Sequence, residues 1–173
     1  TNQGVYYTPE EKANDFEIFS SLKFIEGTQG QVWSLQLING HLYCGHNNGL
    51  LEICPDFSIR QLYRLNTGVF RIVEATINGK KIQIIVTYNE LRIVNKETGK
   101  VNVMRQITDP IYDAEIDHLG NIWLETVSKG IYKCRLNEDM DAFRYYTYYG
   151  HEKDCTLPIH LQIFKTSGRV IFL

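Results

Sequence analysis

Apolar residues along this chain either alternate with polar ones or run unbroken for a few positions, and short clusters of Gly, Asn and Asp separate the runs. The stretch from Val32 to Ile38 (VWSLQLI) alternates, as a strand does when one face is buried and the other is wet. The stretch Ile82-Gln83-Ile84-Ile85-Val86 is nearly continuous, as in a strand covered on both faces. Four predicted strands, lettered A to D, recur three times. They lie near 32–38, 41–46, 49–54 and 59–65; near 69–77, 81–87, 90–95 and 101–107; and near 111–117, 121–126, 130–135 and 142–149. Asn39-Gly40 and Asn78-Gly79 join the first two strands of their units; Asn-Gly is favoured there because both turn positions need positive φ. Leu119-Gly120 stands at the corresponding place in the third unit, and Ser167-Gly168 before the final strand. The one helix-like stretch, Pro9 to Asp15, is polar throughout and reads as a loop or a single turn.

The openings of the units align: Val32-Trp33-Ser34-Leu35, Val69-Phe70-Arg71-Ile72, Ile111-Tyr112-Asp113-Ala114 and Ile159-His160-Leu161-Gln162. Their second residues, 33, 70, 112 and 160, are 37, 42 and 48 apart. A period of about 40 residues with four strands per unit is the signature of propeller blades. Gln3 to Pro9 (QGVYYTP) matches the third strands NGLLEIC and KGIYKC, so the chain enters in mid-blade, with Phe16 to Phe24 as a fourth strand. It leaves after a second strand, at Leu173. The expected architecture is an all-β propeller segment of four-stranded antiparallel blades: a half blade over 1–30, blades over 31–68, 69–110 and 111–150, and a half blade over 151–173. The halves either join and close a four-bladed ring or, as the preferred reading has it, belong to a larger propeller.

The 173 residues suffice for one domain with a sizeable core. The formal charge of −2 offers no basic excess for nucleic acid and no acidic tail. Eleven Tyr and only 4 Pro favour strands. No run approaches the roughly 20 apolar residues that span a bilayer. Thr1-Asn2-Gln3-Gly4 lacks a charged segment ahead of an apolar core, and the first residue is not Met, so targeting information is expected to lie outside this sequence. Cys44, Cys54 and Cys134 sit in apolar strand patterns and read as small buried hydrophobes, while Cys155, in a loop-like stretch, leaves a disulfide open. None has the spacing of a zinc site. His41, His46, His118, His151 and His160 show no metal-ligand spacing, and HExxH, GxSxG, P-loop and GxGxxG motifs are missing. Neither a cofactor nor a metal is expected, and this segment is not expected to be an enzyme.

The third unit, IYDAEIDHLGNIWLETVSKGIYKC, resembles the two-component-regulator propeller repeat, with Asp117, Gly120, Trp123, Thr126 and Gly130 on the pattern. The first unit, VWSLQLINGHLYCGHNNGLLEI, keeps Val32 to Leu35, Gly45, Gly49 and Leu50 but has Tyr43 where Trp is usual; the second keeps only the strand rhythm. The resemblance implies the periplasmic sensor part of a hybrid two-component histidine kinase, binding oligosaccharides released from polysaccharides. It implies further blades and a signalling domain in the same chain, with any membrane passage in parts not present here, and leaves a second copy of the chain open as a partner. The repeat residues Trp33, Gly45, Gly49, Gly120, Trp123 and Gly130 are read as structural: Trp123 and Tyr43 filling the wedge between blades, and Gly45, Gly49 and Gly130 allowing the B–C connection to turn tightly or take positive φ.

Propellers generally bind on the face carrying the D–A and B–C loops, which selects 45–49, 87–90 and 126–129 together with 66–68, 108–110 and 149–158. Sugar recognition needs planar polar groups for the hydroxyls and aromatic faces for the C–H surface. His46, Asn47, Asn48, Tyr88, Asn89, Asp109 and His151 have that chemistry, although Asn and Asp favour turns for backbone reasons alone. Arg71, third in an A strand, is set either to hold an acidic sugar or to pair with Asp113. The tyrosines of Arg144 to Gly150 (RYYTYYG) are expected to be buried against neighbouring blades, the alternative being a binding platform. The leading expectation is a ligand sensor, ahead of a scaffold propeller and of a propeller lyase or hydrolase.

Overall fold

The structure, a computed structural model, describes residues 2–9, 21–127, 130–150, 163–166 and 169–172. The chain forms two compact units, Thr1–Val69 and Phe70–Leu173. Every described element is a strand, and among the described residues there is no α-helix.

In the first unit β1 (Tyr6–Tyr7) pairs antiparallel with β2 (Lys23–Phe24), within the span expected to hold a half blade. Residues 10–20, and with them most of the anticipated fourth strand, lie outside the described residues. Next, β3 (Val32–Ile38), β4 (His41–His46), β5 (Gly49–Ile53) and β6 (Ile59–Arg64) form a four-stranded sheet in chain order. Val5 and Ile25 from the β1–β2 segment pack with Cys44, Leu51 and Ile53 to make this unit's core. Thr28, fully buried, ties the segment together: its hydroxyl accepts from the Val5 amide at 2.9 Å and donates to the Ile25 carbonyl at 2.7 Å.

In the second unit β7 (Val69–Ile77), β8 (Lys80–Thr87), β9 (Leu91–Asn95) and β10 (Val101–Met104) make one four-stranded sheet. A second consists of β11 (Ile111–Ile116), β12 (Ile122–Thr126), β13 (Ile131–Leu136) and β14 (Phe143–Tyr149). The antiparallel hairpin β15 (Ile163–Thr166) and β16 (Arg169–Phe172) follows. The expected final A-strand start at 159–162 and the Ser167-Gly168 turn lie outside the described residues. The fold class is the expected one: three four-stranded antiparallel meanders of the kind propeller blades are made of, flanked by two-stranded pieces.

Face-to-face packing within the second unit is explicit. Ile82, Ile84 and Val86 of β8 share one core with Ala114 and Ile116 of β11 and Ile122 and Leu124 of β12, all almost fully buried. The continuous apolar pattern of β8 thus reflects burial of both its faces. At the outer edge the Asn102 side chain donates to the Met140 carbonyl at 2.9 Å, and Gln106 brackets Phe143, donating to its carbonyl and accepting from its amide. Two side-chain amides therefore stitch the end of β10 to the start of β14.

The repeat motif resolves into hydrogen bonds. Asn39 and Gly40 have φ of 51° and 81°, Asn78 and Gly79 of 50° and 76°, as a two-residue primed turn demands. In the third repeat the connection is longer and built on Asp117. Its Oδ1 accepts from the amides of Leu119 (3.0 Å) and Asn121 (2.8 Å), its Oδ2 from the Asn121 side chain (2.8 Å) and the Trp123 indole (2.9 Å). Partial burial pushes this carboxyl upward, but those donors prevail and hold it below the usual Asp range. Trp123 then packs against Phe172 of the hairpin, ring centroids 5.0 Å apart. Tyr43 is buried.

Trp33 is 45% exposed and lies on Gly68, where a Cβ would come within 2.3 Å of the indole nitrogen. With Leu35 and Leu37 it lines an open face of β3, so that strand is covered on one side only. Apart from that, three expectations need correction. Of the glycines at the B–C connections, Gly49 takes positive φ (116°), but Gly45 and Gly130 do not. Their need is steric: a Cβ on Gly45 would stand 2.1 Å from the Val69 carbonyl oxygen, and one on Gly130 2.2 Å from the Tyr148 ring. Tyr145, Tyr146 and Tyr149 are exposed because β14 is the outermost strand of its sheet; only Tyr148 is half-buried, against Tyr132. Cys54 is half-buried, whereas Cys44 and Cys134 are fully so, with thiols pushed up by burial to about 11 and about 12, protonated and unreactive; Cys155 lies outside the described residues.

The two steric glycines give a graded test. Gly45→Ala meets backbone that cannot step aside and should cost about 3 kcal/mol, whereas Gly130→Ala meets a ring that can swing and should cost about 1 kcal/mol. Urea midpoints measure both, and equal losses would contradict the distinction.

Candidate binding cavity

In each of the three four-stranded sheets the second strand ends in a side chain that braces the turn after it. At the end of β8 the Thr87 hydroxyl donates to the Glu90 carbonyl (2.9 Å) and accepts from the Glu90 amide (3.0 Å). At the end of β12 Thr126 does the same with Gly130, at 3.0 Å in both directions. At the end of β4 the place is taken by His46, whose Nδ1 accepts from the Asn48 amide (3.1 Å) while Nε2 lies 3.0 Å from the Gln29 carbonyl. Nδ1 as acceptor puts the proton on Nε2. Closing the turn through residues one and four leaves the middle two free to project, and Tyr88 and Asn89 accordingly stand exposed, Tyr88 by 64%.

The segment between β10 and β11 faces that turn and is pinned from the neighbouring sheet at three points. Gln106 is held by Phe143, the Asp109 Oδ2 accepts from the Tyr132 hydroxyl at 2.8 Å, and the Pro110 carbonyl accepts from the Val127 amide at 2.9 Å. Burial, and after it the bond to Asp109, pushes the Tyr132 phenol well above its ordinary range, so it stays a donor. Turn and segment together enclose a cavity of about 340 Å³, at the small end of the range for small-molecule sites. Its polar lining comprises Tyr88, Asn89, Glu90, Arg105, Thr108 and Asp109, over a floor that includes Leu91, Met104 and Ile111. Glu90 is paired with Arg92, Nε to Oε2 at 2.9 Å.

Three of the residues expected at the site, Tyr88, Asn89 and Asp109, are thus brought to one cavity. The others are elsewhere. His46 is buried with both ring nitrogens engaged; Asn47 and Asn48 are exposed on the β4–β5 turn of the first unit; His151 lies outside the described residues. Arg71 takes the pairing alternative: its Nε is 3.0 Å from Asp113 Oδ1 and its guanidinium contacts Glu115. Arg105 and Thr108 were not anticipated, because nothing in the strand rhythm shows which residues of an irregular connection line a hollow. Phe70 and Tyr112 were not anticipated either, though a signal existed: both are aromatics at the second position of an A strand. Phe70 stands edge-on to Tyr88 (6.0 Å, 83°) and tilted to Tyr112 (6.3 Å, 46°). Among the described residues no three His, Cys, Asp or Glu side chains are placed to hold a metal ion.

One guanidinium facing two carboxylates leaves a negative charge in excess. Burial pushes the Asp113 carboxyl up, Arg71 draws it down and Glu115 pushes it up again; the net shift is upward. Glu125, its register partner on β12, is also raised, first by burial and further by Asp113.

No protein-family model matches the chain, and no curated protein matches it. Among solved structures it is similar to the extracellular domain of a "putative one component system" from B. thetaiotaomicron, with TM-score 0.68 and 16% identity. The match covers 99% of this chain and 24% of the other, so the chain spans about a quarter of that neighbour's length. At this identity the likeness establishes the fold.

A carboxyl raised in the folded state stabilises below its unfolded pKa and loses that contribution as pH rises through the folded value. Asp113→Asn removes the cost of the charged form and leaves Arg71 paired with Glu115. It should raise the urea midpoint near neutral pH, with the gain shrinking as pH falls toward about 4. A midpoint below wild type at neutral pH would show that Arg71 requires both carboxylates.

Proposed function

We propose that this chain is an extracytoplasmic ligand-sensing segment of a signalling receptor, and that its ligand is an oligosaccharide released by polysaccharide breakdown. The observation that carries the reading is the convergence of Tyr88, Asn89 and Asp109, chosen for sugar chemistry, on one cavity with an apolar floor. The amide of Asn89, the carboxylate of Asp109 and the hydroxyl of Thr108 offer both donors and acceptors, which is what a ring of hydroxyls requires. The solved neighbour, an extracellular domain, supports the compartment. The repeat resemblance supports a histidine kinase as the output, with further blades and the membrane passage elsewhere in the same chain. Binding acts by differential affinity: a ligand that spans the 87–90 turn and the 105–110 segment favours the arrangement in which the two stand at bound distance, and shifts the population toward it. The segment carries no catalytic step in this reading.

A protein-interaction scaffold is the second reading. It is favoured by the open face of β3, where Trp33 and Leu35 are about half exposed and Leu37 is 74% exposed.

A thermal-unfolding screen against oligosaccharide pools separates the two. At a hundredfold excess over Kd a ligand adds about 2.7 kcal/mol to the native state, on the order of 5 °C or more in Tm. At least one pool should produce such a shift, and the double variant Asn89→Ala, Asp109→Ala should abolish it. No shift with any pool removes the sensor reading, and consumption of the sugar in the same tubes would favour an enzyme.

A further inference from the structure

The cavity wall carries one cation, Arg105, beside the carboxylates of Glu90 and Asp109. Arg105 follows the last residue of β10, is exposed, and has no ion-pair partner among the described residues. Glu90 is paired with Arg92, and Asp109 accepts the Tyr132 hydroxyl, a bond that orients its carboxylate and leaves its charge in place. The backbone at Arg105 is fixed on both sides, by buried Met104 before it and by the Gln106 bracket after it. Its guanidinium is therefore presented at the cavity from an anchored position, which lowers the entropy lost on capturing a partner.

A second feature meets the first at Tyr88. The Phe70, Tyr88 and Tyr112 rings come from β7, the β8–β9 turn and β11, three segments separated in sequence, and touch in series. Yet Tyr88 and Tyr112 remain 64% and 59% exposed. The contacts buttress the array and leave ring surface open beside a polar cavity, as a stacking platform for a ring with an apolar face requires.

Resting on the saccharide reading of the cavity, we infer that the ligand is an acidic saccharide, with the C–H face of one ring on Tyr88 and a carboxylate or sulfate ester on Arg105. A planar guanidinium binds either anion through two parallel hydrogen bonds, which an ammonium cannot reproduce. Phe70 acts as a positioning residue that holds the Tyr88 ring edge-on, and Tyr112 backs Phe70.

Isothermal titration of the chain with three probes tests this: digalacturonate for the carboxylate, a sulfated heparin disaccharide for the sulfate ester, and cellobiose as the neutral control. One acidic probe should bind at least tenfold more tightly than cellobiose, and its affinity should fall as NaCl is raised. Arg105→Gln should erase the advantage, Arg105→Lys should restore it only in part, and Tyr88→Ala should weaken every probe. Both positions are exposed, so the variants should keep the wild-type Tm. If Arg105→Gln binds the acidic probes as wild type does, or if neither acidic probe exceeds cellobiose, the assignment to acidic sugars fails while the cavity reading stands. If no probe binds, both fall.

Discussion

In the second unit two sheets are pressed together by aliphatic side chains, with Ile82, Ile84 and Val86 on one side and Ala114, Ile116, Ile122 and Leu124 on the other, all almost without exposure. Each of the Ile, Val and Leu side chains removed from water contributes about 1.5–3 kcal/mol, and none of it depends on direction. What the packing imposes is distance. Sheets packed face to face stand about 10 Å apart, so the loops closing their ends are held at a separation set by the core. The core thus limits how closely the 87–90 turn and the 105–110 segment approach each other and leaves a hollow between them.

Directional bonds then shape what the core has spaced. Thr87 and Thr126 each spend one hydroxyl on the residue that closes the following turn, Glu90 and Gly130, and at the first of these turns Tyr88 and Asn89 are left to project. Phe143, Tyr132 and Val127 hold the opposite wall from the neighbouring sheet. The division of labour is clear in the fate of the polar residues. Those that brace, such as Thr87, Thr126, His46 and Asp117, are buried or partly so with their hydrogen-bonding atoms consumed. Those that line the cavity, such as Asn89, Arg105 and Thr108, are exposed.

The charged cluster at Arg71 follows another logic. A guanidinium between Asp113 and Glu115 looks like a surplus of attraction, but the third charge must also be desolvated, and the upward shift of Asp113 records that burial outweighs the pairing. Arg71 is committed to the protein. Arg105, at the cavity wall, has no ion-pair partner among the described residues.

Strand positions were legible from the residue pattern to within a few residues, because alternation and turn chemistry are local: the Asn39-Gly40 and Asn78-Gly79 turns hold their positive φ from dipeptide identity alone. The all-β class and the four-strand rhythm were legible for the same reason. His46 and Asn89 could not be told apart in the sequence, both being polar residues on B–C turns; which one braces and which one projects depends on whether a carbonyl such as that of Gln29 lies within reach. Gly45 and Gly130 looked like turn glycines, but the obstacles that require them, the Val69 carbonyl and the Tyr148 ring, stand 24 and 18 positions further along the chain. The hollow lined by Tyr88, Arg105 and Asp109 exists only because sheet packing sets the spacing of segments that the linear order keeps apart. Short-range pattern thus dictates the strands and turns, while the site arises from long-range contacts that no local window contains.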